Sequence, residues 1–133
     1  MGRRVSRAAQ QDRALRITRL HSALAELESH KNFFSRQGEL APEGAWVARY
    51  QVKQSKKVYW YYKLQADKPT FTKITKVKSL SKYKHLGKAG SQDHVDGVMA
   101  VVRRTIVSEL QKTIDSLKSS LIDVSFDGEQ EDV

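Results

Sequence analysis

Cysteine is absent from the chain, and apolar residues never run long enough to cross a membrane. Without cysteine there are no disulfides, thiolate zinc sites, iron–sulfur clusters or cysteine nucleophiles. A membrane span needs about twenty consecutive apolar residues, and residues 1–7 lack the apolar stretch of a signal peptide. These absences predict a soluble protein of a reducing compartment, and we assign it to the cytoplasm without membrane contact.

The sequence also lacks the motifs that common enzyme classes carry. It contains no phosphate loop, nucleophile elbow or carboxylate pair at catalytic spacing. Its histidines are His21, His30, His85 and His94. The first two miss the i, i+4 spacing of helical zinc ligands, and we interpret Asp93 beside His94 as a helix-capping charge. We therefore predict a protein that is not an enzyme, with no metal and no cofactor. The alternative is a small nuclease or recombination enzyme that uses His94 and the acids near it.

Acidic residues are scarce in the middle of the chain, although the formal net charge is only +9. Five acids lie from Asp123 onward, where no Lys or Arg occurs, so residues 1–122 carry 24 cations against 10 acids, a net +14. Between Ala45 and Gly90, twelve cations accompany one acid, Asp67, a net +11. A field this uneven attracts polyanions.

Two segments have the three- and four-residue apolar spacing of long helices. The first runs from about Ser6 to Phe34, and the second begins after Ser91, which we predict to be its N-cap. The apolar stripes are Ile17, Leu20, Leu24, Leu27 and Phe34 in the first, and Val95, Met99, Val102, Ile106, Leu110, Thr113, Leu117 and Leu121 in the second. We expect each stripe to be buried by the other, by the sheet or by a second copy in a coiled-coil-like contact.

Between these helices apolar residues recur at every second position, which predicts a β-hairpin formed by residues 46–53 and 58–64. Pairing Val52 with Val58 gathers the apolar side chains on one face and leaves a tight connection at 54–56. At least one further strand is expected, ending near Tyr83–Leu86. The predicted fold is α+β, with a long N-terminal helix, an antiparallel hairpin or three-stranded meander, and a long C-terminal helix. We expect a single basic domain over 1–122, with a flexible basic arm at 1–5 and a disordered acidic tail at 123–133.

The predicted register places Arg49 beside Tyr61 on the polar face of the hairpin, and Val47 beside Lys63. Cations bind phosphates without reading sequence, whereas tyrosine rings on a sheet stack on bases or reach base edges. We therefore predict a nucleic-acid-binding surface made of Arg49, Lys53, Lys56, Lys57, Tyr59, Tyr61, Lys63, Lys73, Lys76, Lys78, Lys82, Lys84 and Lys88.

The run Gly44-Ala45-Trp46-Val47-Ala48-Arg49-Tyr50 and the run Tyr59-Trp60-Tyr61-Tyr62, followed by a helix, resemble the arm-binding modules of tyrosine integrases. Those modules lay a three-stranded sheet in the major groove of DNA. The resemblance extends over about 44–110 and is one of pattern. It implies that Arg49, Lys53, Tyr61 and Lys63 face DNA. The long first helix and the long final helix depart from that pattern.

The leading hypothesis is an accessory or regulatory protein that binds nucleic acid, DNA in preference to RNA, through the basic tyrosine-containing sheet. In this hypothesis the long helices form a scaffold or a homodimer contact. The alternative is a non-enzymatic adaptor subunit that binds a protein partner through its helical stripes. The two hypotheses differ in the expected effect of salt, because neutralising phosphates releases counterions and makes affinity fall steeply as salt rises.

Overall fold

The computed structural model describes residues 6–73 and 79–130. It confirms the α+β fold class, with a long helix at each end and strands between them. The elements in chain order are α1 (Arg7–Arg36), β1 (Trp46–Gln54), β2 (Lys57–Gln65), β3 (Phe71–Thr72), β4 (Leu80–Ser81), β5 (Tyr83–Lys88) and α2 (Gln92–Gln130). The chain divides into two compact units, a helical unit that pairs α1 up to Phe34 with α2 from Val107, and a sheet unit over Ser35–Ile106.

In the helical unit α2 packs against α1, which confirms the predicted arrangement in which each helical stripe is buried by the other. The predicted stripe of α1 is half-buried, and the buried side chains described in this unit belong to α2, namely Val107, Ile114 and Val124. The helix extends eight residues past position 122, where we expected a disordered tail to begin. The side chain of Arg13 helps to stabilise this part of α2, because its guanidinium donates to the carbonyls of Val124 and Ser125 at 3.0 and 2.7 Å.

The sheet unit contains an antiparallel sheet with strand order β1-β2-β5, which confirms the hairpin and the later strand. The hairpin turn has two residues, Ser55 and Lys56, and Ser55 takes the left-handed conformation at φ +54. Such turns match the twist of the flanking strands and usually contain glycine or asparagine. Val52 consequently pairs with Tyr59, one residue away from the predicted partner Val58. The predicted register is therefore wrong, and a slip of one residue reverses the faces that β1 and β2 share.

One face of this sheet packs against the first turns of α2. Its apolar centre consists of Leu64, Ala66, Phe71 and Leu86, with Val47, Tyr62 and Val101 packed around it. Leu86 is an extra residue between the pairs Tyr62–Gly87 and Lys63–His85, so β5 bulges there. Gly97 allows α2 to approach this bulge, because a Cβ at that position would lie 2.7 Å from Leu86 Cδ1.

Ser91 is the N-cap of α2, as predicted. Its Oγ accepts a hydrogen bond from the His94 amide at 3.2 Å and donates one to the Leu86 carbonyl at 3.0 Å. The hydroxyl thus joins the helix start to β5. Ser91→Ala is expected to lower the free energy of unfolding by roughly 0.5–2 kcal/mol, because one amide loses its acceptor. Chemical denaturation measures this, and Ser119→Ala, a change at an exposed serine inside α2, is the control. An equal loss in both variants would contradict the capping role.

Candidate nucleic-acid interface

The face of the sheet that points away from α2 carries rings and cations. We call it the open face; its residues are Trp46, Ala48, Tyr50, Val52, Lys57, Tyr59, Tyr61, Lys63, Gln65, Tyr83, His85 and Lys88. The strands β1, β2 and β5 contain six Lys and Arg residues and no acid, and three of the six, Lys57, Lys63 and Lys88, lie on the open face. Rings and ammonium groups are therefore neighbours on this face.

Lys63 lies at the centre of this face, on the middle strand. Its Nζ is 4.3 Å from the ring centroid of Tyr83 and 5.3 Å from that of Tyr50. The side chain is half-buried among these rings. An ammonium above an aromatic ring is attracted by the ring's negative face, by about 0.5–1 kcal/mol at exposed sites. The two tyrosines therefore restrict the position of Lys63 without neutralising its charge.

A second contact fixes the tyrosine beneath Lys63. The hydroxyl of Tyr50 lies 3.0 Å from Nδ1 of His85, which joins the two edge strands across β2. Tyr50 also packs beside Tyr61, with ring centroids 6.0 Å apart and tilted by 35°. The rings of the open face therefore form a connected group in which each side chain limits the rotamers of its neighbour.

Lys88 repeats the arrangement closer to the hairpin turn. Its Nζ lies 4.6 Å from the ring centroid of Tyr59. Lys56 in the turn and Lys57 at the start of β2 are both exposed. The open face thus carries Lys63 and Lys88 over rings and the exposed Lys57, with Lys56 exposed in the adjoining turn.

The predicted site residues do not all share this face. Because the register differs from the predicted one, Arg49 and Lys53 lie on the helix face of the sheet, opposite Tyr61 and Lys63. The Arg49 guanidinium carbon lies 4.2 Å above the Trp60 ring. The predicted pairing of Arg49 with Tyr61 is therefore wrong, and the four residues implied by the integrase resemblance divide between two surfaces.

The remaining predicted lysines lie away from the open face or outside the described residues. Lys84 projects on the helix face, and its Nζ is 4.0 Å from the carboxylate of Glu39. Lys73 and Lys82 are exposed beside the short β3 and β4. Lys76 and Lys78 lie outside the described residues. The structure thus brings together Lys56, Lys57, Tyr59, Tyr61, Lys63 and Lys88 from the predicted set.

Sequence reasoning missed Tyr50, Tyr83 and His85, which hold Lys63 in place. The predicted register placed Tyr50 beside Trp60 on the apolar face of the hairpin, and β5 was predicted only as a further strand. The signal was present in the spacing: Tyr83 and His85 are two apart, as are Tyr59, Tyr61 and Lys63. A strand period of two applied to all three strands would have placed these side chains on one face.

A cavity of about 300 Å³ lies on the helix side of the same sheet. It is lined by apolar side chains, including Leu64, Phe71 and Leu86, and by the charged residues Glu39, Lys84, Asp93 and Asp96. The three carboxylates outnumber the one lysine, which disfavours a phosphate there. Among the side chains described in 6–73 and 79–126, no three His, Asp or Glu lie close enough together to hold a metal ion. This cavity is therefore not favoured as an anion site.

No family model, curated protein or solved structure matches this chain. Among the described helices, none is long and apolar enough to cross a bilayer.

Proposed function

We propose that this protein is a nucleic-acid-binding accessory factor that contacts the phosphate backbone of duplex DNA through the open face of its sheet. The observation that carries the proposal is the pair of lysines held over tyrosine rings, Lys63 over Tyr50 and Tyr83, and Lys88 over Tyr59. An ordinary solvated lysine surface does not require aromatic rings beneath the ammonium groups.

The ammonium groups of Lys63 and Lys88 gain more free energy from a phosphate than from the tyrosine rings. A cation–π contact at an exposed site contributes about 0.5–1 kcal/mol. A hydrogen bond to a charged group contributes about 1.5–3 kcal/mol. Phosphate oxygens therefore compete successfully for Lys63 and Lys88. Because the rings have already restricted both side chains, less rotamer entropy is lost when the phosphate binds.

The same contacts disfavour stacking of unpaired bases. The ring faces of Tyr50, Tyr59 and Tyr83 are occupied by ammonium groups, so a base has to displace a lysine before it can stack. Among duplexes, the major groove of B-form DNA is wide enough for a β-ribbon, whereas that of A-form RNA is deep and narrow. Both arguments favour double-stranded DNA over single strands and RNA duplexes.

The test is a titration of one sequence prepared as duplex DNA, duplex RNA and single-stranded DNA, at several salt concentrations. Four phosphate contacts, from Lys56, Lys57, Lys63 and Lys88, predict a log–log slope of affinity against salt of about −3.6 on duplex DNA. Fluorescence anisotropy measures both the slope and the order of preference. Tighter binding to the single strand would contradict the backbone-contact proposal. Affinity independent of salt, or no binding at low salt, would support the protein-partner alternative.

A further inference from the structure

The hairpin of β1 and β2 extends past the end of the third strand. The last pair between β2 and β5 is Tyr61–Lys88, whereas β1 and β2 stay paired as far as Gln54–Lys57. We call residues 51–60 the ribbon; it consists of four cross-strand pairs and the two-residue turn. Among the residues that the structure describes, no third strand pairs with it. At about 3.4 Å per residue, four pairs make a projection about 14 Å long.

The ribbon is also more exposed than the rest of the sheet on the face that points toward α2. Farther from the turn on β2, Tyr62 stacks on the His94 ring and Leu64 is 4% exposed. On the same face of the ribbon, exposure rises to 40% at Trp60 and 50% at Val58. Both faces of the ribbon are therefore accessible to a partner.

Cations lie on both faces of the ribbon. Lys57 is exposed on the open face, and Lys53 is exposed on the other. The guanidinium of Arg49 adds a second charge to that other face, because it lies above the Trp60 ring, two pairs nearer the turn than Arg49's own pair. Residues 49–60 contain four cations and no acid. The charges therefore favour a polyanion on each side of the ribbon.

We propose that the ribbon inserts into the major groove of duplex DNA, with its turn toward the base edges and one face against each phosphate strand. The inference rests on the proposed function, and it adds Arg49 and Lys53, which lie outside the open face, to the contacts. A sheet with its side chains is about 10 Å thick, and the major groove is about 12 Å wide and 8.5 Å deep. A projection of about 14 Å therefore reaches the floor of the groove. The minor groove, about 6 Å wide, is too narrow.

The height of each side chain along the ribbon determines what it contacts. Gln54 and Ser55 lie at the turn, so their uncharged polar groups reach base edges, and a glutamine amide pairs with N6 and N7 of adenine. The guanidinium of Arg49 lies level with Trp60, three residues from the last pair before the turn, or about 10 Å above it. That height is close to the depth of the groove. The guanidinium therefore contacts a phosphate, to which its planar fork donates two hydrogen bonds.

Salt dependence tests the contacts of the second face. Two phosphate contacts from Arg49 and Lys53 change the log–log slope on duplex DNA from about −3.6, the value for the open face alone, to about −5.4. The double variant Arg49→Gln/Lys53→Gln is expected to return the slope to about −3.6. Arg19→Gln/Lys118→Gln removes two exposed cations of the helical unit and is the matched control, which keeps the steeper slope. A wild-type slope near that of the ribbon variant, or an equal change in the control, overturns the proposal.

The contact of Gln54 with adenine is tested by removing one atom of the base. An alternating A·T duplex is compared with the same duplex made with 7-deazaadenine, which lacks the N7 acceptor and keeps every phosphate. The wild-type chain is expected to bind the analogue about 2- to 10-fold more weakly, the effect of one net hydrogen bond. Gln54→Ala is expected to bind both duplexes equally, whereas Gln51→Ala, at an exposed glutamine farther from the turn, keeps the difference. Equal wild-type affinity for the two duplexes contradicts base contact by the turn.

Chemical footprinting tests the groove. Dimethyl sulfate methylates guanine at N7, in the major groove, and adenine at N3, in the minor groove. On a short mixed-sequence duplex saturated with the full chain, we expect protection of guanine N7 and none of adenine N3. Protection of adenine N3, or a bound duplex whose N7 atoms all stay reactive, overturns the insertion and leaves the proposed backbone contact standing. A chain that binds no duplex at low salt removes the proposed function and the insertion together.

Discussion

Lys63→Glu is expected to weaken binding to duplex DNA by about 10- to 100-fold, the largest loss among single changes on the open face. The change removes a charge-assisted contact of about 1.5–3 kcal/mol, and each 1.4 kcal/mol corresponds to a tenfold change in affinity. It also places a carboxylate between Tyr50 and Tyr83, where the ring faces repel an anion. Fluorescence anisotropy at fixed salt measures the loss.

Lys118→Glu is the matched control, because it changes the net charge by the same two units at an exposed position of α2. If net charge alone drove binding, the two variants would weaken it equally. The proposal requires a much smaller loss for Lys118→Glu. Equal losses would mean that the open face has no special part in binding.

Leu64→Ala is expected to lower the free energy of unfolding by about 2–5 kcal/mol. Leu64 is 4% exposed and contributes to the apolar centre beneath the open face, so truncation removes buried methyl groups and leaves a cavity. Urea denaturation monitored by tryptophan fluorescence measures the loss, since Trp46 and Trp60 lie on the same sheet. Leu80→Ala is the control, because Leu80 is 52% exposed, and its effect is expected to be within about 0.5 kcal/mol.

The helices and the hairpin could be predicted from the sequence because their signals are local. Ser91 begins α2 through its hydroxyl, and α1 ends before Gly38. All five residues of the predicted stripe of α1 are among its half-buried residues. These features depend on neighbours within a turn or two of helix, which the chain itself specifies.

The hairpin register could not be predicted, because matching apolar residues across the strands favoured the wrong pairing. Trp60 was expected beside Tyr50 on one face of the hairpin, but it lies exposed on the helix face under the guanidinium of Arg49. The turn decided the register, through the positive φ of Ser55. Serine adopts this conformation less readily than glycine. The sequence therefore lacks the glycine or asparagine that usually predicts a two-residue turn.

The composition of the candidate site was predicted better than its arrangement. An excess of lysine and tyrosine over the strands was visible in the sequence, whereas the support that Tyr50 and His85 give each other depends on three strands lying side by side. The exposure of Val95, Met99 and Val102, which were predicted to be buried in the apolar stripe of α2, has the same explanation. Spacing identifies a stripe on a helix, but only the tertiary structure determines which side the sheet covers.

Two arginines of α2 bind the backbone that connects α1 to β1, whereas lysines provide the positive charge of the open face. Arg103 donates from Nε to the Glu39 carbonyl at 3.1 Å, and Arg104 donates likewise to the Ala41 carbonyl at 2.6 Å. The cations of the open face, by contrast, are all lysines. Lysine has a point charge in place of the planar guanidinium fork, so exchanging arginine for lysine preserves the charge and removes the geometry. A chain with lysine at both positions would keep its attraction for polyanions while loosening the backbone that leads into the first strand.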